Sequence, residues 1–228
     1  MELNVYDLMK PYESDWLTPK EVERARLLVH ELKDHWKPTV DTLLKLGQFG
    51  TVHRDDINLY TLGRATYLSK RMDPTISEYN EFMHHHFDWL FDSAIVKLKE
   101  VFNIDDISIA ENVTTPGFHI FKGPSGEVKP PNYHRDISIN YIIPDAPDDN
   151  WMHSFGCLLQ NVSDPPAHLD YEYEEYHGKM TYTIGKMNFW NSYMPHRVGG
   201  CNSIGEDEFR ITFQGHIAKI NGEYKIYF

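Results

Sequence analysis

Apolar positions in the first hundred or so residues recur at the helical period, and beyond Asn103 they fall into short runs that fit strands. Over residues 77–102 the stripe Met83, Phe87, Leu90, Phe91, Ala94, Ile95, Leu98, Val101 and Phe102 steps by three and four, which predicts one long amphipathic helix. An earlier helix opens at Thr18-Pro19-Lys20-Glu21, with threonine as N-cap, proline at N1 and glutamate at N3, and ends near Lys37-Pro38. The stretch 47–68 has mixed polarity and fits neither template.

Downstream, β-branched and aromatic runs at 107–109, 117–121, 137–142, 155–159, 179–184, 187–190 and 210–217 predict strands. Gly123-Pro124-Ser125-Gly126, Pro144-Asp145-Ala146-Pro147 and Ser163-Asp164-Pro165-Pro166 punctuate them as turns. Asn221-Gly222 signals a type I′ hairpin before a last strand that runs to Phe228. Many short strands with no helices between them point to a sandwich or jelly roll. No repeat, low-complexity tract or linker interrupts the chain, so one domain is expected over residues 1–228, with 1–105 mainly helical and 106–228 mainly strand.

Composition narrows the chemistry. The 22 lysines and arginines against 34 acidic residues leave a formal charge of −12, which disfavours nucleic acid and anionic membranes as partners. Only Cys157 and Cys201 are present, too few for a disulfide framework or a thiolate zinc cage. The opening MELNVYDLMKPYESDW has neither a basic nor an apolar leader region, and no stretch approaches the ~20 apolar residues of a membrane span. A cytoplasmic protein is therefore expected. The 13 histidines stand out against so little sulfur.

Three His-x-Asp triplets occur: His53-Arg54-Asp55, His134-Arg135-Asp136 and His168-Leu169-Asp170. Residues i and i+2 of a strand point the same way, so such a triplet at a strand edge offers imidazole and carboxylate together. Two histidines and a carboxylate on one face suit Fe(II) with open coordination positions. His53 lies in the helical half, and His168 follows the double proline of a loop and heads the acidic stretch 170–175, which reads as a solvated face. His134-Arg135-Asp136 instead sits between two predicted strands, and a distal partner follows in His196-Arg197-Val198.

Arg210-Ile211-Thr212 comes fourteen residues after His196. With it, the pattern His134-x-Asp136, His196, Arg210-x-Thr212 resembles that of the Fe(II)/2-oxoglutarate-dependent dioxygenase superfamily. The resemblance covers roughly 107–217. It implies an α+β fold in which a double-stranded β-helix (jelly roll) core is buttressed by N-terminal helices. It also implies Fe(II) held by His134, Asp136 and His196, and 2-oxoglutarate as co-substrate, its distal carboxylate on Arg210 and Thr212. An arginine supplies the charged, planar, two-pronged donor that such a carboxylate needs. The activity implied is hydroxylation, or a related oxidation, of an unactivated C–H bond by dioxygen. The short chain leaves little room for a macromolecular docking domain, so the expected substrate is a small molecule, such as an amino acid or natural-product intermediate.

Other residues carry weaker signals. Trp190 is placed to wall the site, and His119 and Asn140 read as ordinary strand residues. His84-His85-His86 diverge by about 100° per residue on their helix and make no common metal face. His134-Arg135-Asp136 also spells a kinase HRD, but Asn140 lies four rather than five residues after Asp136, and neither a glycine-rich loop nor DFG occurs. Nucleic-acid repair relatives carry a second arginine where this chain has His216. Collagen-type prolyl hydroxylases use lysine in place of Arg210, and halogenating relatives lack the carboxylate that Asp136 supplies. Two alternatives stay open: a cupin-like metalloenzyme that does not use 2-oxoglutarate, and a non-catalytic jelly-roll binding module.

Overall fold

The structure is a computed structural model that describes residues 10–39, 59–65, 75–111, 113–123, 132–137, 139, 151–162, 166–173, 175–199 and 208–228. Helix α1 spans Pro19–Glu31 and opens on the expected capping box: Thr18 accepts from the Glu21 N–H, and the Glu21 carboxylate accepts from the Thr18 N–H. It ends earlier than the sequence suggests. A 3₁₀ turn covers Lys33–His35, and the Trp36 indole N–H then donates back to the Val29 carbonyl at 3.0 Å. Pro38 disfavours helical geometry at Lys37, and Lys37–Pro38 becomes the short strand β2. Helix α2 spans Ile76–Phe102 and buries Met83, Phe87, Leu90, Phe91, Ala94 and Leu98, most of the expected stripe. Asn103 closes it in the left-handed region at φ 53°.

The remaining strands are β1 (Tyr12–Asp15), β3 (Leu59–Leu62), β4 (Ile107–Ile109), β5 (Gly117–Lys122), β6 (Met152–Gln160), β7 (His168–Tyr173), β8 (Tyr176–Thr181), β9 (Lys186–Asn191), β10 (His196–Gly199), β11 (Phe209–Ile220) and β12 (Glu223–Tyr227). A nine-stranded sheet runs β1-β9-β6-β11-β5-β3-β2, with β12 joining β11 and β4 joining β12; a three-stranded sheet runs β10-β7-β8. The architecture is a jelly roll with its helices packed on one face of the larger sheet. Asn221 and Gly222 both have positive φ, at 53° and 82°, as the predicted type I′ turn between β11 and β12 requires.

Strand alternation sorts the larger sheet into two faces. Phe118, Ile120, Phe155, Cys157, Leu159, Met187, Phe189, Ile211, Phe213 and Ile217 form one core with the inner faces of α1 and α2. On the opposite face Leu158 and Trp190 pack against Leu169 and Tyr171 of the smaller sheet, together with Ala167, Tyr182 and Met194. The interior of the roll lies between the two sheets.

Three expectations shift. The N-terminal segment supplies strands as well as helices: β1 pairs with β9, and β3 with β5. Of the strand expected at 137–142, Ile137 and Ile139 are described and neither is in a strand. Ile139 is fully buried beside Met152 and Tyr227, and the other positions lie outside the described residues. The run expected at 179–184 is shifted to Tyr176–Thr181, after which Ile184 makes a single bridge to Leu158.

Candidate metal centre

His134 and His196, far apart in sequence, meet in one bridge in which each backbone N–H donates to the other's carbonyl at 2.9 Å. The Asp136 N–H extends the contact to the Ser192 carbonyl, also at 2.9 Å. Each imidazole is aimed by the carbonyl two residues before it: His134 Nδ1 lies 3.2 Å from the Asn132 oxygen, and His196 Nδ1 2.8 Å from that of Met194. A carbonyl only accepts, so each Nδ1 carries its proton and each Nε2 is left for the centre. His134 Nε2 is 3.6 Å from Asp136 Oδ1, and His196 Nε2 is 3.1 Å from Oδ2.

The three candidate ligand atoms lie within 4.8 Å of one another, and no second group of this kind occurs among the described residues. Burial pushes the Asp136 carboxyl up, but the charge and hydrogen bond of His196, with His216 and His134, outweigh it and hold Asp136 well below the usual carboxylate range. Burial pulls His196 down, while Asp136 raises it on balance. His134 is drawn down to about 4, by burial first and then by the charge of His196. The carboxylate is thus ionised. Two neutral imidazoles and one carboxylate fit Fe(II) by donor chemistry.

Trp190 does wall the centre. Its ring meets that of His196 edge-on at 5.5 Å, and its indole N–H donates to Asp136 Oδ2 at 3.3 Å. Ser154, which sequence reasoning missed, donates to the same oxygen at 2.7 Å.

Arg210 and Thr212 lie on the interior face of β11, opposite Phe121 and His119 of β5. Arg210 is fully buried; its Nη1 donates to the Gly199 carbonyl at 2.5 Å, and its guanidinium sits 5.6 Å from the Phe121 ring and 5.7 Å from that of Tyr182. A buried guanidinium is kept only where acceptors or anions meet it. His119, read above as an ordinary strand residue, faces the same interior and hydrogen-bonds Gln214; burial draws it down to about 4. Asn140 lies outside the described residues.

The other triplets fare differently. His53-Arg54-Asp55 is outside the described residues. His168-Leu169-Asp170 is not part of the solvated face expected: it opens β7 with its side chains largely covered, Asp170 lying opposite Arg197 and His168 opposite Gly199 of β10. The period-two pattern of Leu169, Tyr171 and Tyr173 explains the strand, since Leu169 and Tyr171 enter the core between the sheets. Asp170 Oδ2 accepts from Arg197 Nε at 3.1 Å, and the Arg197 guanidinium lies 4.7 Å from the Tyr133 ring. The His168 ring packs directly on Gly199, where any Cβ would collide with it. On α2, His84 pairs with Asp88 at 2.6 Å and not with its neighbouring histidines.

No protein-family model and no curated protein matches the chain. Among solved structures it is similar to SnoN, a non-heme alpha-ketoglutarate-dependent epimerase from nogalamycin biosynthesis: 11% identity, 94% of this chain and 82% of that one covered, TM-score 0.50. It is also similar to an N-substituted L-amino acid dioxygenase from Burkholderia ambifaria AMMD, solved in complex with alpha-ketoglutarate: 10% identity, 96% and 86% covered, TM-score 0.50. Both likenesses are of fold.

Proposed function

We propose that this chain acts, as one domain, as an Fe(II)- and 2-oxoglutarate-dependent oxygenase of a small molecule. The observation that carries the reading is the convergence of His134, Asp136 and His196 within 4.8 Å, from segments that have no local reason to meet. The buried Arg210 on the neighbouring interior strand adds a cation where an oxo-acid needs one. The shared fold with a protein named for its dependence on alpha-ketoglutarate, and with another in complex with it, supports the same assignment.

His134, Asp136 and His196 would hold the iron, leaving one side of it open. Iron there supplies dioxygen chemistry: 2-oxoglutarate, dioxygen and R–H become succinate, carbon dioxide and R–OH. Arg210 binds the distal carboxylate of the oxo-acid and Thr212, two residues on and on the same face, adds a hydroxyl. Single-carboxylate ligation leaves the centre net positive, which favours an anionic co-substrate. Trp190 and the apolar residues packed around it between the sheets, Leu158, Leu169 and Met194 among them, exclude water from the reacting atoms. The substrate class proposed is a small molecule such as an amino acid or natural-product intermediate.

Anaerobic titration with Fe(II) and then 2-oxoglutarate tests this. The expected result is a metal-to-ligand charge-transfer band in the visible with the wild-type protein, weakened in Arg210→Ala. No band with wild type sinks the co-substrate assignment, and an unchanged band in Arg210→Ala sinks that residue's role. Succinate formation separates this enzyme from a cupin-like one that works without the oxo-acid.

A further inference from the structure

Ser154, at the interior of β6 and fully buried, has three polar neighbours for one hydroxyl proton. Asp136 Oδ2 lies 2.7 Å from its Oγ, Ser192 Oγ 2.8 Å and His216 Nδ1 3.0 Å. Direct contact between His216 and Asp136 is too long for a hydrogen bond, at 4.0 Å, so His216 reaches the carboxylate only through Ser154. A carboxylate that ligates a metal is deprotonated and can only accept. The Ser154 proton therefore goes to Asp136, and both remaining contacts must be donated to Ser154: an O–H from Ser192 and an N–H from His216 Nδ1. The proton count thus assigns His216 its tautomer.

The two oxygens of Asp136 are consequently unlike. Oδ2 takes the Ser154 hydroxyl and the Trp190 indole N–H and lies 3.1 Å from His196 Nε2, whereas Oδ1 takes neither of those donors and faces His134 Nε2 at 3.6 Å. We propose that Ser154 is a positioning residue of the metal centre: oriented by Ser192 and His216, it holds Oδ2 so that Asp136 offers the metal Oδ1 alone. A carboxylate held this way keeps a coordination position open that a chelating one would fill. The inference rests on the metal reading above and extends it to residues that touch no metal. Partners that orient a ligating carboxylate are worth about 10–100-fold in metal affinity when removed.

Co(II), followed by its visible d–d absorption, is the probe. Ser154→Ala is expected to bind Co(II) about 10–100-fold more weakly. Its carboxylate stretching bands should also move closer together as both oxygens reach the metal. His216→Asn, whose amide N–H stands where Nδ1–H stood, should keep wild-type affinity, while His216→Leu should lose part of it. This pair decides the matter should Ser154→Ala fail to fold. Wild-type affinity and bands in Ser154→Ala overturn the proposal. So does tighter binding in His216→Leu, because Ser154 would then have been spending its proton on His216. A wild-type protein that takes up no Co(II) overturns the metal reading itself, a result distinct from either.

Discussion

Two of the three His-x-Asp triplets are locally near-identical, and only one belongs to a candidate metal centre. In each the histidine Nδ1 lies on the carbonyl two residues back, at 3.2 Å from Asn132 for His134 and 2.9 Å from Pro166 for His168. In each Nε2 stands off the aspartate Oδ1, by 3.6 Å and 3.5 Å. What differs is the third partner, and the two third partners are adjacent residues of one strand. His196 projects into the roll and completes the inner set, while Arg197 projects the other way and closes the outer pair as an ion pair. The motif prepares an imidazole and a carboxylate; the strand beside it decides whether they meet another ligand or a cation.

Removing the inner third partner should have the largest effect. His196→Ala is expected to abolish stoichiometric Fe(II) uptake in anaerobic dialysis while the fold survives, and uptake at wild-type level would undo the comparison. Giving the outer pair the inner pair's partner is the converse. Arg197→His places an imidazole directly opposite Asp170, close enough to share an ion with it and His168. A second, weaker equivalent of Co(II) should bind; titration that stops at one equivalent would mean that the outer pair is not equivalent in geometry.

A histidine with no such partner sets the scale. His153 is buried on the helix side of the larger sheet, its ring 4.9 Å from both Phe102 and Trp151, and its Nδ1 makes no hydrogen bond among the described residues. Burial draws its pKa from 6.5 down to about 4. Because the folded value lies below the unfolded one, protonation favours unfolding. Its contribution is intact above pH 6.5 and is lost as the pH falls toward about 4, a swing of about 3 kcal/mol. Urea melts across that range should show the slope, and His153→Phe should reduce it by that amount, leaving the share of His119 and His134, which are drawn down to the same value.

The smallest effect belongs to the outer cation. Arg197→Ala should cost about 1 kcal/mol, a fall of about 2–4 °C in Tm, with Fe(II) uptake retained. Loss of uptake would place Arg197 among the residues that support the centre rather than the outer sheet.

What could be read from the chain divides by range of interaction. The capping box at Thr18, the stripe of α2 and the Asn221-Gly222 turn were legible because each is decided within a few residues. His134, Asp136, His196 and Arg210 were legible as a spacing, and the structure brings the first three together with Arg210 on the adjoining interior face. Strands β1 and β3 were not legible, being four residues each and held by β9 and β5 rather than by their own pattern. Ser154 was hidden because β6 is buried on both faces, which erases the alternation that would mark an inward polar residue. His216 had a signal that was not used: it lies six residues after Arg210, an even step along one strand, hence on the same face.

Gly199 links the two halves of the comparison. Its missing side chain leaves room for the His168 ring on the outside, and its carbonyl holds the buried Arg210 on the inside. A side chain introduced there would displace His168 and carry the backbone carbonyl with it. In a library of random variants it would therefore score as a misplaced Arg210, although the altered atom points away from the interior of the roll. Residue 199 is where ordinary drift of the outer surface becomes visible to the chemistry within.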